Sequence, residues 1–353
     1  MWTTGEGRTY TTSSRDGTRL DLAINYSTHA LVRSHTRYEL KTTRAGMGFA
    51  RPRAVLAAAL CLLCTVRAQS DLYDPYTGIS DHTPPNPAHA VALRKVRDAL
   101  KTDPNGFMRF WEGDEPCRAP WRGVRCVRGN RVTHLDLSRF GIGGDIDPAI
   151  ADIDTLVEID LSNNFISGEI PAALGNLTRL MTLNLAGNRL RGTIPPELAD
   201  APALGRLGLQ RNRIGGSIPP EFGDAPSLRS LDVSDNLIEG TVPPQLGNLT
   251  GLHELSLGRN LLRGTIPAEL YGCVNLYSLR MQGNRLDGTV PSEWGADFAK
   301  LESLDLSRNF LVGEVPEGLA DIPRLKELRL NDNQMFGTTP AALAAKGVAV
   351  LVR

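Results

Sequence analysis

Leu204-Gly-Arg-Leu207-Gly-Leu209-Gln-Arg-Asn212-Arg-Ile214-Gly-Gly216-Ser-Ile218-Pro219 is one turn of a pattern that recurs from Val132 to the C-terminal end of the 353-residue chain. Units open at Val132, Leu156, Leu180, Leu204, Leu228, Leu252, Leu276, Leu301 and Leu325, and every step is 24 residues except one of 25. A glycine keeps the same schedule, at Gly144, Gly168, Gly192, Gly216, Gly240, Gly264, Gly288, Gly313 and Gly337. A stack of equivalent turns must bend its backbone at one place per turn, and glycine is the residue that does so at least steric cost. The first question this sequence raises is therefore what a repeating surface binds.

Other columns fill in the turn. Leu207 and Leu209 alternate with polar neighbours, the signature of a half-buried strand. Ile214, Ile218 and Phe222 continue the apolar positions around the coil. A single unit cannot bury these side chains, so neighbours must stack into one continuous core. Asn164, Asn188, Asn212, Asn236, Asn260, Asn284, Asn309 and Asn333 share one position. The amide offers donors and an acceptor to backbone groups that a turn leaves open, which is a structural role. Pro171, Pro195, Pro219, Pro243, Pro267, Pro291, Pro316 and Pro340 form another column; proline fixes φ and removes a donor, as suits an edge or turn. The residue before each, such as Ile170, Ile194, Ile218 or Val242, reads as a short extended piece. The end units depart from the pattern, with Phe140 at the Asn position of the first and Thr339 in place of Ile in the last, as terminal units must.

The pattern LxxLxLxxNxLxGxIP resembles that of leucine-rich repeat proteins, of the type abundant in plant extracellular proteins and receptor ectodomains. The resemblance runs from Val132 to about Val348. It implies an α/β solenoid: a right-handed superhelix of about nine 24-residue repeats, a parallel β-sheet on the concave face and a helical N-terminal cap. It also implies that the extended pieces before the prolines form a second small sheet.

Upstream, Asn86-Pro87 starts a helix in which Val91, Leu93, Val96 and Leu100 have helical spacing, and Asp103-Pro-Asn-Gly106 stops it. Trp111, Cys117, Trp121 and Cys126 follow, an arrangement similar to the N-terminal cap of plant-type leucine-rich repeat proteins. The resemblance implies that the tryptophans cover the apolar end of the solenoid and that Cys117 and Cys126 form a disulfide, at home in an exported chain. Arg51-Pro-Arg53, the apolar run 54–66 and Ala68 read as a signal peptide, too short to span a bilayer. With Met47 just before it, translation is expected to start there. The domain reading is then 1–46 an upstream over-extension without ordered structure, 47–68 signal peptide, 69–87 Pro-rich linker, 88–131 cap, 132–348 repeats and 349–353 a short terminal strand. An uncleaved signal anchor is the alternative. Cys61 and Cys64 fall in the removed segment, and Cys273 shares a column with Leu177, Ala201, Ala225 and Leu249, so it reads as a small buried apolar residue.

The formal net charge of the whole chain is zero. Residues 1–68 hold 10 of the 39 basic and 4 of the 39 acidic residues, which leaves 29 against 35, a net of −6, and argues against a nucleic-acid partner. Asn176-Leu-Thr and Asn248-Leu-Thr are glycosylation sequons in the same slot three units apart, on the side away from the strands.

Polar positions around each strand face the concave side, with Asp136, Asp160, Asn184, Gly208, Asp232, Ser256, Arg280, Asp305 and Arg329 in one column and Ser138, Ser162, Ala186, Gln210, Ser234, Gly258, Gln282, Ser307 and Asn331 in the next. At about 4.8 Å per strand the face spans roughly 40 Å, which suits a peptide, a protein face or an oligosaccharide. Arg206, Arg229, His253 and Tyr277 fall on consecutive strands near one edge, with Arg211, Arg259 and Arg280 across from them; this basic cluster could take an acidic peptide or sugar. Asp232 and Asp235 interrupt it. No catalytic constellation, cofactor loop or metal-ligand set emerges: His134 and His253 are five units apart, and Asp136 and Asp160 lie on an open, wet face. The expected function is that of a secreted, non-enzymatic binding module in signalling or defence. Two alternatives are an inhibitor of a secreted cell-wall-degrading enzyme, resembling polygalacturonase-inhibiting proteins, and a truncated receptor-kinase ectodomain. The end of the chain reads as uncapped, and an open solenoid end invites dimerisation.

Overall fold

A computed structural model describes residues 8–13, 19–24, 39–41, 86–118, 121–127 and 131–351. The chain divides into two units, Met1–Asp71 and Leu72–Arg353. In the first, Arg8–Ser13, Arg19–Ile24 and Glu39–Lys41 form a three-stranded antiparallel sheet, where the sequence alone predicts no ordered structure. The signal-peptide reading, the start at Met47 and the linker up to residue 85 lie outside the described residues.

The second unit is a solenoid. Its main sheet has eleven strands in simple chain order. The first, Val124–Val127, is antiparallel to Arg131–Asp136. Every later pairing is parallel, one short strand per coil, ending at Ala349–Leu351. The register follows the repeat: Leu183, Leu207, Leu231, Leu255 and Leu279 stand side by side, all fully buried. One apolar core runs unbroken from Ala90 in the cap to Val348. Burying one such leucine contributes about 1.5–3 kcal/mol, a gain available only because the next coil covers it.

The glycine column performs the turn expected of it. All nine have positive φ, from 70° at Gly216 to 133° at Gly144. The Asn column is internal. Asn212 Nδ2 donates to Leu185 O of the preceding coil (3.0 Å) and to Leu209 O of its own (3.0 Å), while its Oδ1 accepts from Leu190 N (3.0 Å). Most of the prolines cap short 3₁₀ helices on the side opposite the sheet, including Ala172–Asn176, Pro196–Asp200, Pro220–Asp224 and Pro244–Asn248. The coil of 25 residues departs from this. Between Pro291 and Leu301 it has turns instead of a 3₁₀ helix, and buried Trp294 and Phe298 meet edge-to-face, with centroids 5.2 Å apart. The extra residue is thus absorbed where Trp294 replaces the usual Leu or Phe and Phe298 stands in the column of Ala201, Ala225, Leu249 and Cys273.

One expectation shifts. The second sheet is broken into three short ladders, and they lie one step earlier than the Ile-Pro pieces: Gly143–Asp145 with Phe165–Ser167, Arg263–Thr265 with Arg285–Asp287, and Val312–Gly313 with Gln334–Met335. Ile170, Ile194 and Ile218 are buried core residues outside any strand, and the proline after each offers no N–H to a ladder. At the C-terminal end, helix Ala341–Ala345 leads into the expected terminal strand, Ala349–Leu351, which is the outer strand of the sheet, and Lys346 Nζ donates to Ala320 O and Ile322 O of the previous coil.

The cap helix spans Pro87–Ala99, with the Asn86 side chain accepting from Ala88 N. Leu93, Val96 and Leu100 are buried as expected, but Val91 is 43% exposed and His89 takes its place against the solenoid. The ring of Trp111 stacks on Trp121 at 5.6 Å, and each indole N–H donates to a backbone carbonyl. Cys117 and Cys126 are joined by a disulfide with Cα atoms 5.7 Å apart. Phe140, the residue that breaks the Asn column, meets Phe107 of the cap, with centroids 4.3 Å apart.

Candidate binding face

Because strand residues alternate, those flanking each buried Leu-x-Leu pair point out of the concave sheet. The aligned register sets Arg206, Ser230, Glu254 and Ser278 in one row, and Gly208, Asp232, Ser256 and Arg280 in another. Arg229, His253 and Tyr277 stand one residue ahead of the first row. Arg206, Arg229, His253 and Tyr277 consequently line one shallow depression of about 340 Å³, together with Met181 and Glu254. The His253 and Tyr277 rings lie 6.2 Å apart.

The structure separates the other three basic residues from these four. Arg211 and Arg259 occupy the left-handed turn just before the structural Asn, with φ of 59° and 55°. Arg259 pairs with Asp235 at 3.3 Å and borders a different depression of about 420 Å³ with Asp305, Arg308 and Arg329. Arg280 ends its strand and is exposed, with no ion pair among the described residues.

The two acids expected to interrupt the cluster are engaged elsewhere. Asp235 holds Arg259, and Asp232 Oδ1 accepts from Ser234 N and Ser234 Oγ at 3.0 and 2.6 Å. This small turn recurs. Asp136 caps Ser138, Asp160 caps Ser162 and Asp305 caps Ser307. Much of the Asp and Ser columns therefore closes strand ends, which is the ordinary use of an aspartate beside an open backbone N–H. The Asp136 and Asp160 pair is structural in the same way, and Asp160 also accepts from Asn184 Nδ2 at 2.9 Å.

The acid inside the depression is Glu254, which sequence reading passed over. Its carboxylate accepts from Ser230 Oγ at 3.2 Å and from the Tyr277 hydroxyl. That hydrogen bond, with burial second, holds the Tyr277 pKa above the usual tyrosine value, while Arg206 and Arg280 pull it down. The signal for Glu254 was present in its row, two strands along from Arg206, once the register was known.

Other titratable groups stay apart. His134 Nε2 lies 3.8 Å from Glu158, yet burial and then Arg125 lower its pKa. Cys273 is fully buried, its thiol donates to Leu246 O at 3.1 Å, and burial pushes its pKa up to about 12. No cluster of three His, Cys, Asp or Glu suited to a metal ion occurs among the described residues.

Models described as "Leucine rich repeat" match residues 154–214 and 226–286, with a further match at 300–322, and "Leucine rich repeat N-terminal domain" matches 89–127. The chain is a plant-type leucine-rich repeat protein with an N-terminal cap. Among curated relatives, Leucine-rich repeat protein 1 of Oryza sativa subsp. japonica is 41% identical over 67 residues, 18% of this chain and 30% of the relative. A "Probable LRR receptor-like serine/threonine-protein kinase" of Arabidopsis thaliana is 36% identical over 69 residues, 19% of this chain and 7% of the kinase. The chain thus spans less than a third of the curated relatives it matches. Among solved structures, the Arabidopsis receptor kinase HAESA, in complex with the peptide hormone IDA and the co-receptor SERK1, aligns with a TM-score of 0.67 at 30% identity, covering 74% of this leucine-rich repeat chain and 44% of HAESA.

Proposed function

We propose that this protein is an extracellular, non-enzymatic recognition module that holds a protein or peptide ligand along its concave sheet, at the face bearing Arg206, Arg229, His253 and Tyr277. The observation that carries this reading is the division of labour within the repeat. Leu, Asn, Gly and Pro build the coil, the Asp-x-Ser turns close the strands, and four of the side chains left over on the concave side, Arg206, Arg229, His253 and Tyr277, line one depression. The HAESA ectodomain, similar in fold, is complexed with a peptide hormone and a co-receptor, which supports a peptide or protein partner here. Similarity to a receptor-like kinase favours, as a second reading, that the solenoid is the ligand-binding part of such a receptor. Export through the signal peptide at 47–68, and glycans at the exposed Asn176 and Asn248, belong to the same proposal.

The test is retention of partners from the extracellular fluid of the source organism. Wild-type protein and the double variant Arg206→Glu/Arg229→Glu are immobilised, and bound proteins and peptides are identified by mass spectrometry. A partner held by the wild type and released by the variant is expected. Equal retention of every partner by both contradicts the assignment.

A further inference from the structure

We infer that the depression between Asn248 and Tyr271, on the side opposite the sheet, seats the first sugar of a glycan carried by Asn248. This rests on the export and glycosylation reading above and adds where the sugar lies and what holds it.

Tyr271 is out of pattern. The fourth residue after each repeat proline is Gly175, Ala199, Gly223, Gly247, Tyr271, Gly295, Ala320 and Ala344. Small residues suit this place because the next coil is close. A Cβ on Gly175 would collide with Glu197 O, one on Gly223 with Gln245 O, and one on Gly247 with Glu269 O. The coil after Tyr271 is the one whose 3₁₀ helix is replaced by turns, and here the large side chain stands 41% exposed. An exposed tyrosine offers an apolar ring and a polar tip.

Asn248, on the preceding coil, borders the same depression of about 400 Å³, together with Gln245, Glu269 and Gly272. The two coils touch between them: a Cβ on Gly272 would collide with Gly247 O. Asn248 and Thr250 are exposed, and the backbone that carries them is pinned to the following coils. Asn275 Nδ2 donates to Thr250 O at 2.7 Å, and Lys300 Nζ donates to Asn275 Oδ1 at 2.6 Å. Attachment joins Asn248 Nδ2 to C1 of the sugar. The donor, a lipid-linked oligosaccharide diphosphate, loses its C1–O bond; the diphosphate leaves with the electron pair and the amide gives up one proton. The sugar ring then starts one amide away from the depression. One face of N-acetylglucosamine is a patch of C–H groups that packs on an aromatic ring, and its hydroxyls and acetamide match the Gln245 amide and the Glu269 carboxylate.

The other sequon supplies the contrast. Asn176-Leu-Thr is the same tripeptide on the same side of the solenoid, but Ala199, buried, holds the place of Tyr271 and Ala173 that of Gln245. A glycan there has no ring to lie on.

The experiment secretes the full chain from a human cell line behind an added leader, as wild type, Tyr271→Ala and Tyr271→Phe. Alanine is what three other coils carry at this place, so the first variant is compatible with the fold. An enzyme that cleaves the Asn–sugar bond is applied to the native proteins, and release is followed at each site by peptide mass spectrometry. Expected in wild type is release from Asn248 on the order of fivefold slower than from Asn176, the factor of a contact worth about 1 kcal/mol. Tyr271→Ala should abolish the difference and Tyr271→Phe should keep it. After unfolding in urea the two sites should release alike. Equal native release from both sites in wild type, or slow release from Asn248 that persists in Tyr271→Ala, overturns the inference and leaves export and recognition in place. Protein secreted with Asn248 bare overturns it as well, and with Asn176 also bare it overturns the glycan reading.

Discussion

The side-chain amide of Asn236 donates to the Leu209 carbonyl of the preceding coil at 3.0 Å and, at the same time, its oxygen accepts from Ile214 N at 3.0 Å. Asn236 is buried, and it also reaches Val233 O and Ser234 O of its own coil. One side chain thus satisfies backbone groups in two adjacent coils. Replacing it with alanine leaves buried carbonyls and an N–H unpaired. Asn236→Ala should lower stability by about 1–3 kcal/mol, the usual cost of orphaned buried polar groups. An unchanged urea midpoint would contradict the role.

Gly247 and Gly215 make a second comparison. A Cβ on Gly247 would collide with the Glu269 carbonyl oxygen of the next coil, at the point where neighbouring 3₁₀ turns touch. At Gly215 the nearest atom to such a Cβ is Leu237 O at 3.8 Å, an ordinary contact. Gly247→Ala should therefore destabilise by several kcal/mol, since backbone must move, while Gly215→Ala should fall within about 1 kcal/mol of wild type. Thermal unfolding of the two variants side by side checks the packing of the coils.

His89 gives the cap a pH dependence. The ring is 1% exposed, with Nε2 at 3.4 Å from Asp154 of the first coil. Burial lowers its pKa from 6.5, and the neighbouring Asp154 only partly offsets this. The unfolded chain therefore takes up the proton first. Stability is full above about pH 6.5 and is lost as pH falls from there towards the depressed folded value. Urea midpoints between neutral pH and about pH 5 should decline in the wild type and decline less in His89→Gln. A parallel decline in both would remove His89 as the cause.

Asn176 and Asn248, with Thr178 and Thr250, are exposed at corresponding places on the side opposite the sheet. Passage of the chain through a secretory pathway should attach glycan to one or both, seen as a mass decrease on enzymatic deglycosylation that the Asn176→Gln/Asn248→Gln variant lacks. Binding through the concave face should be unaffected by that substitution. A ligand whose retention depends on these glycans would place recognition on the wrong side.

The fold was legible because it is written many times over: strand, Asn, Gly and Pro positions each recur, so one turn can be checked against the next. What escaped was set by details that do not recur. The small ladders fall one step before the Ile-Pro pieces, where no proline removes the N–H that a ladder needs. Val91 faces water because His89 occupies the inner face of the cap helix. Four of the seven basic or aromatic site residues do share one depression, but Arg259 already has Asp235, and the acid among the four is Glu254 rather than Asp232. Ion pairing between coils depends on register and rotamer, which columns of letters do not carry.

Tyr277 on the concave face and Tyr271 on the opposite side, each 41% exposed, allow the most direct test of which surface binds. A photo-crosslinking phenylalanine analogue placed at one or the other position, irradiated in extracellular fluid of the source organism, will report what lies against it. The account predicts a defined adduct from Tyr277 that is competed by unlabelled wild-type protein and not by Arg206→Glu/Arg229→Glu. Adducts from Tyr271 with none from Tyr277 would contradict it.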